Sequence, residues 1–460
     1  MSAAVLLANH RRTPVIERGR APPAPRRSMT SRFDQDVRDF HDAVTAGDAP
    51  GAARLLQHPH VRARVNDALF AFGQRAAHVA AKNEVLLRVL IAAGANVNLL
   101  SAWENGPYTV LDNADEGTAH FLIAQGARLT PNVAARLGWF DDLRAIVAAD
   151  PTSVHARGGD GQQPLHEAAT PAVADFLLDQ GADPEARCID HRSTPAQYAL
   201  VARPAVCRRL LERGASPDIY MAAHLGDTAL ATRVLDADPG CVQARIHEPG
   251  YDPVPPLHIY CWTIGFGLSP HDVARLQGHR AVLDLLHARS PARVRFFSAI
   301  GAADEAGAQG ALAEDPALLT SMTADEHGYL ARAIFHEHDE AVELMLRFGF
   351  DPAAPGIDGG TALHAACWVG QARLVERLLE FGRVPVDARD PTHGSTPLGW
   401  AAFGSVHRRA RGADYAAVAG LLVAAGASVT GAGNRNGMTL LQMAAGNPAM
   451  QDALRRLGAR

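Results

Sequence analysis

One pattern is written twice in succession between Gly359 and Ala427, and it leaves few folds open to this chain. The first copy starts with Gly-Gly-Thr-Ala-Leu-His-Ala-Ala-Cys-Trp-Val-Gly and closes at Gly382. The second copy starts at Ser395 with Ser-Thr-Pro-Leu-Gly-Trp-Ala-Ala. Each copy predicts a turn, a short Ala-rich helix, a bend, a Leu-rich helix and a Gly stop. A fixed period of some tens of residues is typical of a repeat array.

Each residue type in the pattern has a mechanical role. Thr caps free N–H groups at a helix start, and Pro fits the first turn because it loses no hydrogen bond there. The paired alanines let the first helix approach its neighbours closely. Leucines three and four residues apart form the buried stripe of the second helix, and Gly ends that helix in the left-handed conformation. Where Pro follows Asp150, Asp238 or Asp315 instead, we expect the second helix to stop early.

The pattern Thr-Pro-Leu-His-x-Ala-Ala-x-x-Gly followed by Leu-Leu-x-x-Gly-Ala resembles the ankyrin repeat. Forms of it recur over residues 33–460, in about thirteen units of which some are degenerate. The resemblance implies stacked helix–turn–helix units with β-turn fingers at right angles to them. It also implies a concave groove lined by the fingers and the first helices. We therefore expect an all-α ankyrin-repeat α-solenoid.

The sequence predicts one continuous solenoid over residues 33–460, without a globular domain inside it. Insertions interrupt the pattern near 260–272 and 403–415, and residues 433–460 form a truncated C-terminal cap. Residues 1–32 are basic and Pro-rich and are expected to be disordered. This tail is either a loose or over-extended start, since Met29 precedes the first patterned segment, or a basic interaction arm.

Composition excludes several classes of partner and environment. The formal charge of −5 gives no basic excess for binding nucleic acid. The five cysteines are scattered without a Cys-x-x-Cys pair, which favours buried, reduced thiols in a cytoplasmic protein. No apolar run reaches membrane-spanning length. A capped solenoid is by default a monomer, and this is the state we expect.

Both insertions resemble segments of a bacterial ankyrin-repeat subfamily that contains Trp-Thr-Ile-Gly and Thr-Pro-Leu-Gly-Trp…Gly-Ser-x-His…Asp-Tyr. The positions that carry the resemblance are Trp262 to Gly265, Thr396 to Trp400, Gly404, Ser405, His407, Asp414 and Tyr415. No settled biochemical role follows from it.

The 21 histidines invite a metal hypothesis. The ankyrin resemblance implies instead that His166, His258 and His364 hydrogen-bond to turn backbone. His336-Glu337-His338 is the densest group, but its two histidines are two residues apart, whereas the helical zinc motif needs a spacing of four. We place this group in the bend between helices. No metal, cofactor or catalytic residue is expected.

Aromatic residues at the groove positions are the stronger signal. In ankyrin repeats the two variable residues before the bend face the groove. In this sequence the residues at or near those positions include Trp262, Phe335, Trp368 and Phe403, with His336 beside Phe335. Buried aromatics dominate interface energies, at roughly 2 kcal/mol or more each. The alternative is that some of these rings only fill gaps between repeats. Trp400, one step further back, is expected in the core.

The second insertion adds candidate partner-binding residues beside those aromatics. They are His407, Arg408, Arg409, Arg411 and Tyr415. The arginines suit an acidic partner, or they are solvated loop charges.

Together these observations predict a non-enzymatic scaffold that binds a protein or peptide in the concave groove. The alternative is a small-molecule or catalytic site that uses His336, His407 or Tyr415.

Overall fold

A computed structural model of the protein describes four stretches of the chain, which are residues 32–246, 258–408, 412–430 and 433–460. Most of the predicted tail, residues 1–31, lies outside them. The described stretches contain α-helices and short 3-10 turns and no β-strand, so the predicted all-α repeat fold is confirmed. None of their helices combines the length and apolar character needed to cross a membrane.

The described residues divide into two compact units, which we call the N-terminal unit (up to Leu286) and the C-terminal unit (from His287). The helices of the N-terminal unit are α1 (Arg32–Ala46), α2 (Ala49–Leu55), α3 (Pro59–Arg62), α4 (Ala76–Val79), α5 (Glu84–Ala92), α6 (Glu116–Ala124), α7 (Pro131–Leu137), α8 (Phe140–Ala149), α9 (Pro164–Glu167), α10 (Pro171–Asp179), α11 (Pro195–Ala202), α12 (Pro204–Glu212), α13 (Ile219–Leu225), α14 (Thr228–Ala237), α15 (Ile259–Thr263) and α16 (Pro270–Leu276). Helix α17 (Arg280–Arg289) contains the division between the two units.

The C-terminal unit continues the alternation of first and second helices. Its helices are α18 (Ala292–Gly301), α19 (Glu305–Glu314), α20 (Ala324–His327), α21 (Tyr329–Phe335), α22 (Asp339–Arg347), α23 (Ala362–Val369), α24 (Ala372–Glu380), α25 (Pro397–His407), α26 (Tyr415–Ala424), α27 (Leu440–Met443) and α28 (Pro448–Arg456).

The pair α23 and α24 shows how the pattern becomes structure. Helix α23 is buried along its whole length, since its alanines let it pack between its neighbours. It ends at Gly370, whose φ of +72° is the left-handed conformation that Gly adopts without steric cost. Helix α24 then buries only Val375 and Leu378, the stripe of an amphipathic second helix.

Helix starts follow the sequence, but the early stops expected before Pro do not occur. At the start of α11, Thr194 and Gln197 form a capping box in which each side chain accepts a hydrogen bond from the other's backbone N–H, at 3.4 and 2.9 Å. Helices α8 and α14 end at Ala149 and Ala237, directly before an Asp-Pro pair, but with 10 residues each they are not shorter than α10 and α12 with 9, so the predicted early stop is wrong for them. A 3-10 turn follows each of them.

The second insertion is partly helical. We predicted an interruption after Phe403, but α25 continues for another turn to His407 before α26 begins at Tyr415. Gly404 lets the added turn lie close to α23, because a Cβ at that position would lie only 2.5 Å from the carbonyl oxygen of Trp368. The side chain of Ser405 also stays within the helix, where its hydroxyl donates to the Ala402 carbonyl at 2.7 Å.

Candidate functional site

Three aromatic rings on first helices of the C-terminal unit form one stack. Phe335 on α21 and Trp368 on α23 are parallel to within 2°, with 5.9 Å between ring centroids. Phe403 on α25 follows Trp368 at 6.2 Å and 29°, and its ring centroid lies 4.0 Å from that of His407. Aromatic pairs attract one another at separations of about 4.5–7 Å. We call Phe335, Trp368, Phe403 and His407 the aromatic ladder.

The repeat itself builds the aromatic ladder. Phe335 and Trp368 each stand two residues before the left-handed residue of the bend, Glu337 in one repeat and Gly370 in the next. Phe403 takes the corresponding place in the third repeat, although its helix runs on. Equivalent positions of stacked repeats lie beside one another, so the three rings meet.

The ladder exposes edges more than ring faces. Trp368 is only 9% exposed, with Phe335 and Phe403 stacked on its two sides. Those two outer rings are half-buried, and His407 is exposed at the end of α25. His336, half-buried, packs edge-on against Phe335 at 5.5 Å. The indole Nε1 of Trp368 is buried and has no hydrogen-bond partner among the described residues.

Trp400 and Tyr415 support the ladder from behind. Trp400 is buried, as predicted, and its Nε1 donates to Oδ2 of the buried Asp390 at 2.9 Å. The Tyr415 hydroxyl donates to the carbonyl oxygen of Trp368 at 3.0 Å, and its ring is 7% exposed. We expected Tyr415 on a partner-binding surface. The structure instead buries its side chain behind the aromatic ladder, where its hydroxyl donates to the backbone of α23.

The arginines of the second insertion are described only at the first of their three positions. Arg408 forms an ion pair with Glu337, whose backbone occupies the left-handed region at φ +59°. Glu337 lies between α21 and α22, so the predicted position of His336-Glu337-His338 in a bend is confirmed. Arg409 and Arg411 lie outside the described residues. The pairing with Glu337 partly neutralises the one charge of this group that the structure describes.

Trp262 belongs to the N-terminal unit and is described with that unit alone. It stands on α15, 41% exposed, and packs edge-on against Phe266 at 5.6 Å. The aromatic ladder therefore comprises only part of the predicted aromatic set. Trp262 is a separate exposed aromatic site.

Of the histidines at the Thr-Pro-Leu-His position, His166 and His364 hydrogen-bond to turn backbone as the resemblance implied, whereas Nδ1 of His258 accepts from the N–H of Tyr260 in its own helix at 3.2 Å. In His166, Nδ1 accepts from the backbone N–H of Gln163 at 3.1 Å and Nε2 lies 3.2 Å from the Ser193 carbonyl oxygen. His364 repeats this arrangement with Thr361 and Ala388, each at 3.1 Å.

Burial fixes the charge state of these rings. It is the main cause that lowers the pKa of His166 to about 4 and that of His258 to about 3. Both imidazoles are therefore neutral at pH 7.

Burial makes three of the five cysteines poor nucleophiles. All five are free thiols, and four of them are buried. Burial raises the pKa of Cys207 and Cys261 to about 12 and that of Cys241 to about 11. The thiolate is the nucleophilic form, so these groups are protonated and unreactive near neutral pH.

A cleft of about 630 Å³ opens between the starts of the second helices α22 and α24. Its polar wall includes Asp339, Arg373 and Asp414, and Asp339 accepts a hydrogen bond from Gln371 at 3.1 Å. None of His336, His407 and Tyr415 lines it. The cleft and the predicted alternative site thus do not coincide.

A polar group in the N-terminal unit was not anticipated from the sequence. Asp160, Asp190 and His191 place one carboxylate oxygen each and a ring nitrogen within 4.8 Å of one another. We call these three residues the finger cluster, since Asp160 lies in the 3-10 turn Gly159–Gly161 at a finger and the other two lie in the next finger. The only available signal was the recurrence of acidic residues one repeat apart, at positions that vary freely in such arrays.

Comparisons with known proteins agree with this architecture. Residues 160–189 match the family model of the ankyrin repeat, and residues 330–409 match the model of ankyrin repeats in three copies. A similar curated protein is Protein PhlB of Serratia liquefaciens, with 36% identity over 66 residues. That match covers 14% of this chain and 29% of PhlB, so the chain spans less than a third of that relative's length.

The two family matches fall in different units, and both lie on segments where the helices alternate as the pattern predicted. The longer match includes Phe335, Trp368 and Phe403 of the aromatic ladder. The chain is therefore an ankyrin-repeat protein.

Proposed function

We propose that this chain is a non-enzymatic scaffold that binds a protein or peptide segment along the aromatic ladder of the C-terminal unit. The observation that carries the proposal is the continuous stack of Phe335, Trp368 and Phe403, which crosses three repeats and ends at an exposed imidazole. Ankyrin repeats generally mediate contacts between proteins, which supports the same conclusion. The proposed surface lies within one chain and requires no cofactor.

The energetics favour a partner that covers ring edges. Phe335 and Phe403 are half-buried in the isolated chain, and covering the remainder would remove apolar surface from water at about 25 cal/mol per Å². Their stacking on Trp368 already restricts their rotation, so little side-chain entropy is lost on binding. A preformed rigid aromatic surface is typical of the residues that dominate interface energies.

Polar groups at the ladder suit a partner with hydrogen-bond acceptors. The buried Nε1 of Trp368 has no acceptor among the described residues, and such a donor costs about 1–3 kcal/mol. A backbone carbonyl or a carboxylate of the partner would recover this energy once a neighbouring ring shifts to admit it.

Site-specific photo-crosslinking tests the proposal directly. A photoreactive amino acid is placed at His407, beside the ladder, and separately at Glu376, which is exposed on the second helix α24. We expect a partner from the source cell to crosslink at position 407 and not at position 376. Identical products at both positions, or none at 407, would reject the ladder as the binding surface.

A matched pair of substitutions then measures the contribution of the ladder. Phe403→Ala removes a ladder ring, and Phe381→Ala removes an exposed ring at the end of α24. With the crosslinked partner in hand, we expect Phe403→Ala to weaken binding by roughly 2 kcal/mol, about thirtyfold, and Phe381→Ala to leave it unchanged. Circular dichroism and urea unfolding check that both variants fold.

The catalytic alternative has weaker support. Tyr415, one of its three residues, donates its hydroxyl to the Trp368 backbone, and the cleft between α22 and α24 is lined by none of the three. Binding of a metabolite that is lost in His407→Ala, with protein capture unaffected, would favour that alternative.

A further inference from the structure

The finger cluster brings three metal-ligating atoms together in the N-terminal unit. A carboxylate oxygen of Asp160, a carboxylate oxygen of Asp190 and a ring nitrogen of His191 lie within 4.8 Å of one another. We propose that these three side chains bind a divalent transition-metal ion, and that Zn²⁺ is the ion that fits them best. This inference does not depend on the proposed partner-binding surface.

Backbone hydrogen bonds hold the two fingers in register. The N–H groups of Ile189 and Asp190 both donate to the carbonyl oxygen of Asp160, at 3.0 and 3.1 Å. Asp160 takes a left-handed conformation (φ +54°) directly before Gly161, which makes the tight turn that presents its side chain. The ligands therefore come from two neighbouring repeats that are already joined, so little ordering is required when an ion binds.

A third finger orients the carboxylates. The indole Nε1 of Trp103 donates to Oδ1 of Asp160 at 3.1 Å, and the amide of Asn105 donates to Oδ1 of Asp190 at 2.7 Å. The other oxygen of Asp190, Oδ2, lies 3.4 Å from Nε2 of His191. Carboxylates that ligate metals are typically held by outer hydrogen-bond donors in this way.

The charges of the group favour a cation. Two half-buried carboxylates lie close together, and like charges at such separations repel. A divalent ion would neutralise the acidic pair.

The donor set selects among ions. One imidazole nitrogen with two carboxylate oxygens is a combination that Zn²⁺ accepts in tetrahedral geometry, with water as the fourth ligand. Mg²⁺ and Ca²⁺ prefer six or more oxygen ligands, and the imidazole suits neither. We therefore expect Zn²⁺ to bind more tightly than Mg²⁺ or Ca²⁺.

The C-terminal unit contains a matched pair that lacks the third ligand. Asp358 also stands at a finger with a left-handed backbone (φ +53°), and its Oδ2 lies 3.3 Å from Nε2 of His393. The nearby Asp390 is buried, and its Oδ2 accepts from Trp400 at 2.9 Å and from the Ser395 backbone at 3.0 Å. The carboxylates of both groups have hydrogen-bond donors, Tyr108 among them for Asp160, but among the described residues no third ligand atom joins Asp358 and His393, so this second pair serves as the internal control.

Metal analysis of the full chain tests the proposal. After treatment with a chelator, the protein is titrated with Zn²⁺ by calorimetry and its metal content is measured after dialysis. We expect one Zn²⁺ per chain for wild type, at least about tenfold weaker binding for Asp190→Asn, and wild-type binding for Asp358→Asn. Failure of wild type to bind Zn²⁺, or equal effects of the two variants, would overturn the assignment.

Two further measurements keep the test decisive if Asp190→Asn folds poorly. Asn105→Ala removes an outer donor without touching a ligand, and we expect it to weaken Zn²⁺ binding by about 10–100-fold. Co²⁺ replaces Zn²⁺ as a visible probe, and we expect His191→Ala, but not His393→Ala, to alter its absorption spectrum. An unchanged spectrum in His191→Ala would exclude the imidazole as a ligand and with it the proposed site.

Discussion

The aromatic ladder and the finger cluster both join neighbouring repeats, but they do so with opposite chemistry. The ladder stacks Phe335, Trp368 and Phe403, and its interactions are dispersion and burial. The finger cluster sets two carboxylates against an imidazole and holds them with hydrogen bonds from a third finger. The first arrangement is built mainly from apolar rings, whereas the second is built from charged and polar groups.

The first helices and the fingers of the repeat bring residues together in different ways. First-helix positions lie beside their counterparts in the next repeat, so a residue chosen once per repeat gives a continuous surface. Finger residues meet across longer distances in the sequence, as Asn105 and Asp190 do at 2.7 Å. A continuous aromatic surface is thus built from helices, and a compact polar cluster is built from fingers.

The largest expected effect concerns the buried imidazole of His166. Burial is the main cause that lowers the pKa of His166 to about 4, below its ordinary value of 6.5. Below pH 6.5 the unfolded chain takes up a proton that the folded chain refuses, so stability is lost as pH falls from 6.5 towards 4. We predict that the difference in unfolding free energy between wild type and His166→Asn falls by about 2 kcal/mol between pH 7.5 and pH 5. Urea unfolding at the two pH values measures it.

The control for this prediction has the opposite sign. The side-chain hydrogen bond with Asp358 is the main cause that raises the pKa of His393, so its contribution is present below pH 6.5 and is lost as pH rises through the folded pKa. The effect of His393→Asn should therefore grow as pH falls. Buried carboxyls such as Glu167 shift the whole curve, because burial raises their pKa. Only the difference between wild type and variant is informative, and differences independent of pH would contradict both assignments.

A smaller effect distinguishes the two tryptophans of the ladder region. Trp400 and Trp368 are almost equally buried, but only Trp400 Nε1 has an acceptor, on the buried Asp390. Changing either residue to Phe removes a similar volume, so the packing losses are comparable. We predict that Trp400→Phe costs about 1–2 kcal/mol more than Trp368→Phe, since it removes one of the two donors to a buried carboxylate oxygen.

Urea unfolding of the two single variants checks this prediction. Equal losses of unfolding free energy in Trp400→Phe and Trp368→Phe would mean that backbone N–H groups alone satisfy the carboxylate of Asp390. Trp368→Phe should also retain partner binding better than Phe403→Ala, because it keeps an aromatic ring in the stack.

Much of the fold could be predicted from the sequence, because the same helix caps, buried positions and helix ends recur in each repeat. The helix pair around Gly370 and the turn role of His166 both follow from residue type and position. Periodicity also brought Phe335, Trp368 and Phe403 onto one surface.

The finger cluster and the burial of Tyr415 could not be predicted in this way. Both depend on contacts between segments whose positions the period does not specify. Asn105 and Asp190 meet because fingers converge, and Tyr415 turns inward because Gly404 lets α25 approach the Trp368 carbonyl. A pattern read along the chain identifies which residues recur, but not which irregular residues meet.

The smallest expected effect tests whether Arg408 is available to a partner. Glu337 and Ala303 both hold the left-handed bend conformation, at φ +59° and +56°, that Gly370 holds at +72° in a neighbouring repeat. Changing Ala303 to Gly removes strain of about 1–2 kcal/mol, offset by the entropy of Gly in the unfolded chain. We therefore predict that Ala303→Gly stabilises the protein by about 0.5–1 kcal/mol.

Glu337→Gly relieves the same strain but also removes the ion pair with Arg408. An exposed pair contributes about 0.2–1 kcal/mol, so this variant should stabilise less than Ala303→Gly by that amount. Urea unfolding of both variants measures the difference. If the two variants gain equally, the ion pair contributes nothing to stability, and Arg408 can turn from Glu337 to an acidic group on a partner at no loss. If Glu337→Gly gains less unfolding free energy than Ala303→Gly, the ion pair holds Arg408 beside the ladder. Partner binding by Glu337→Gly should then depend more steeply on salt concentration than that of wild type, because the released arginine is more exposed to screening.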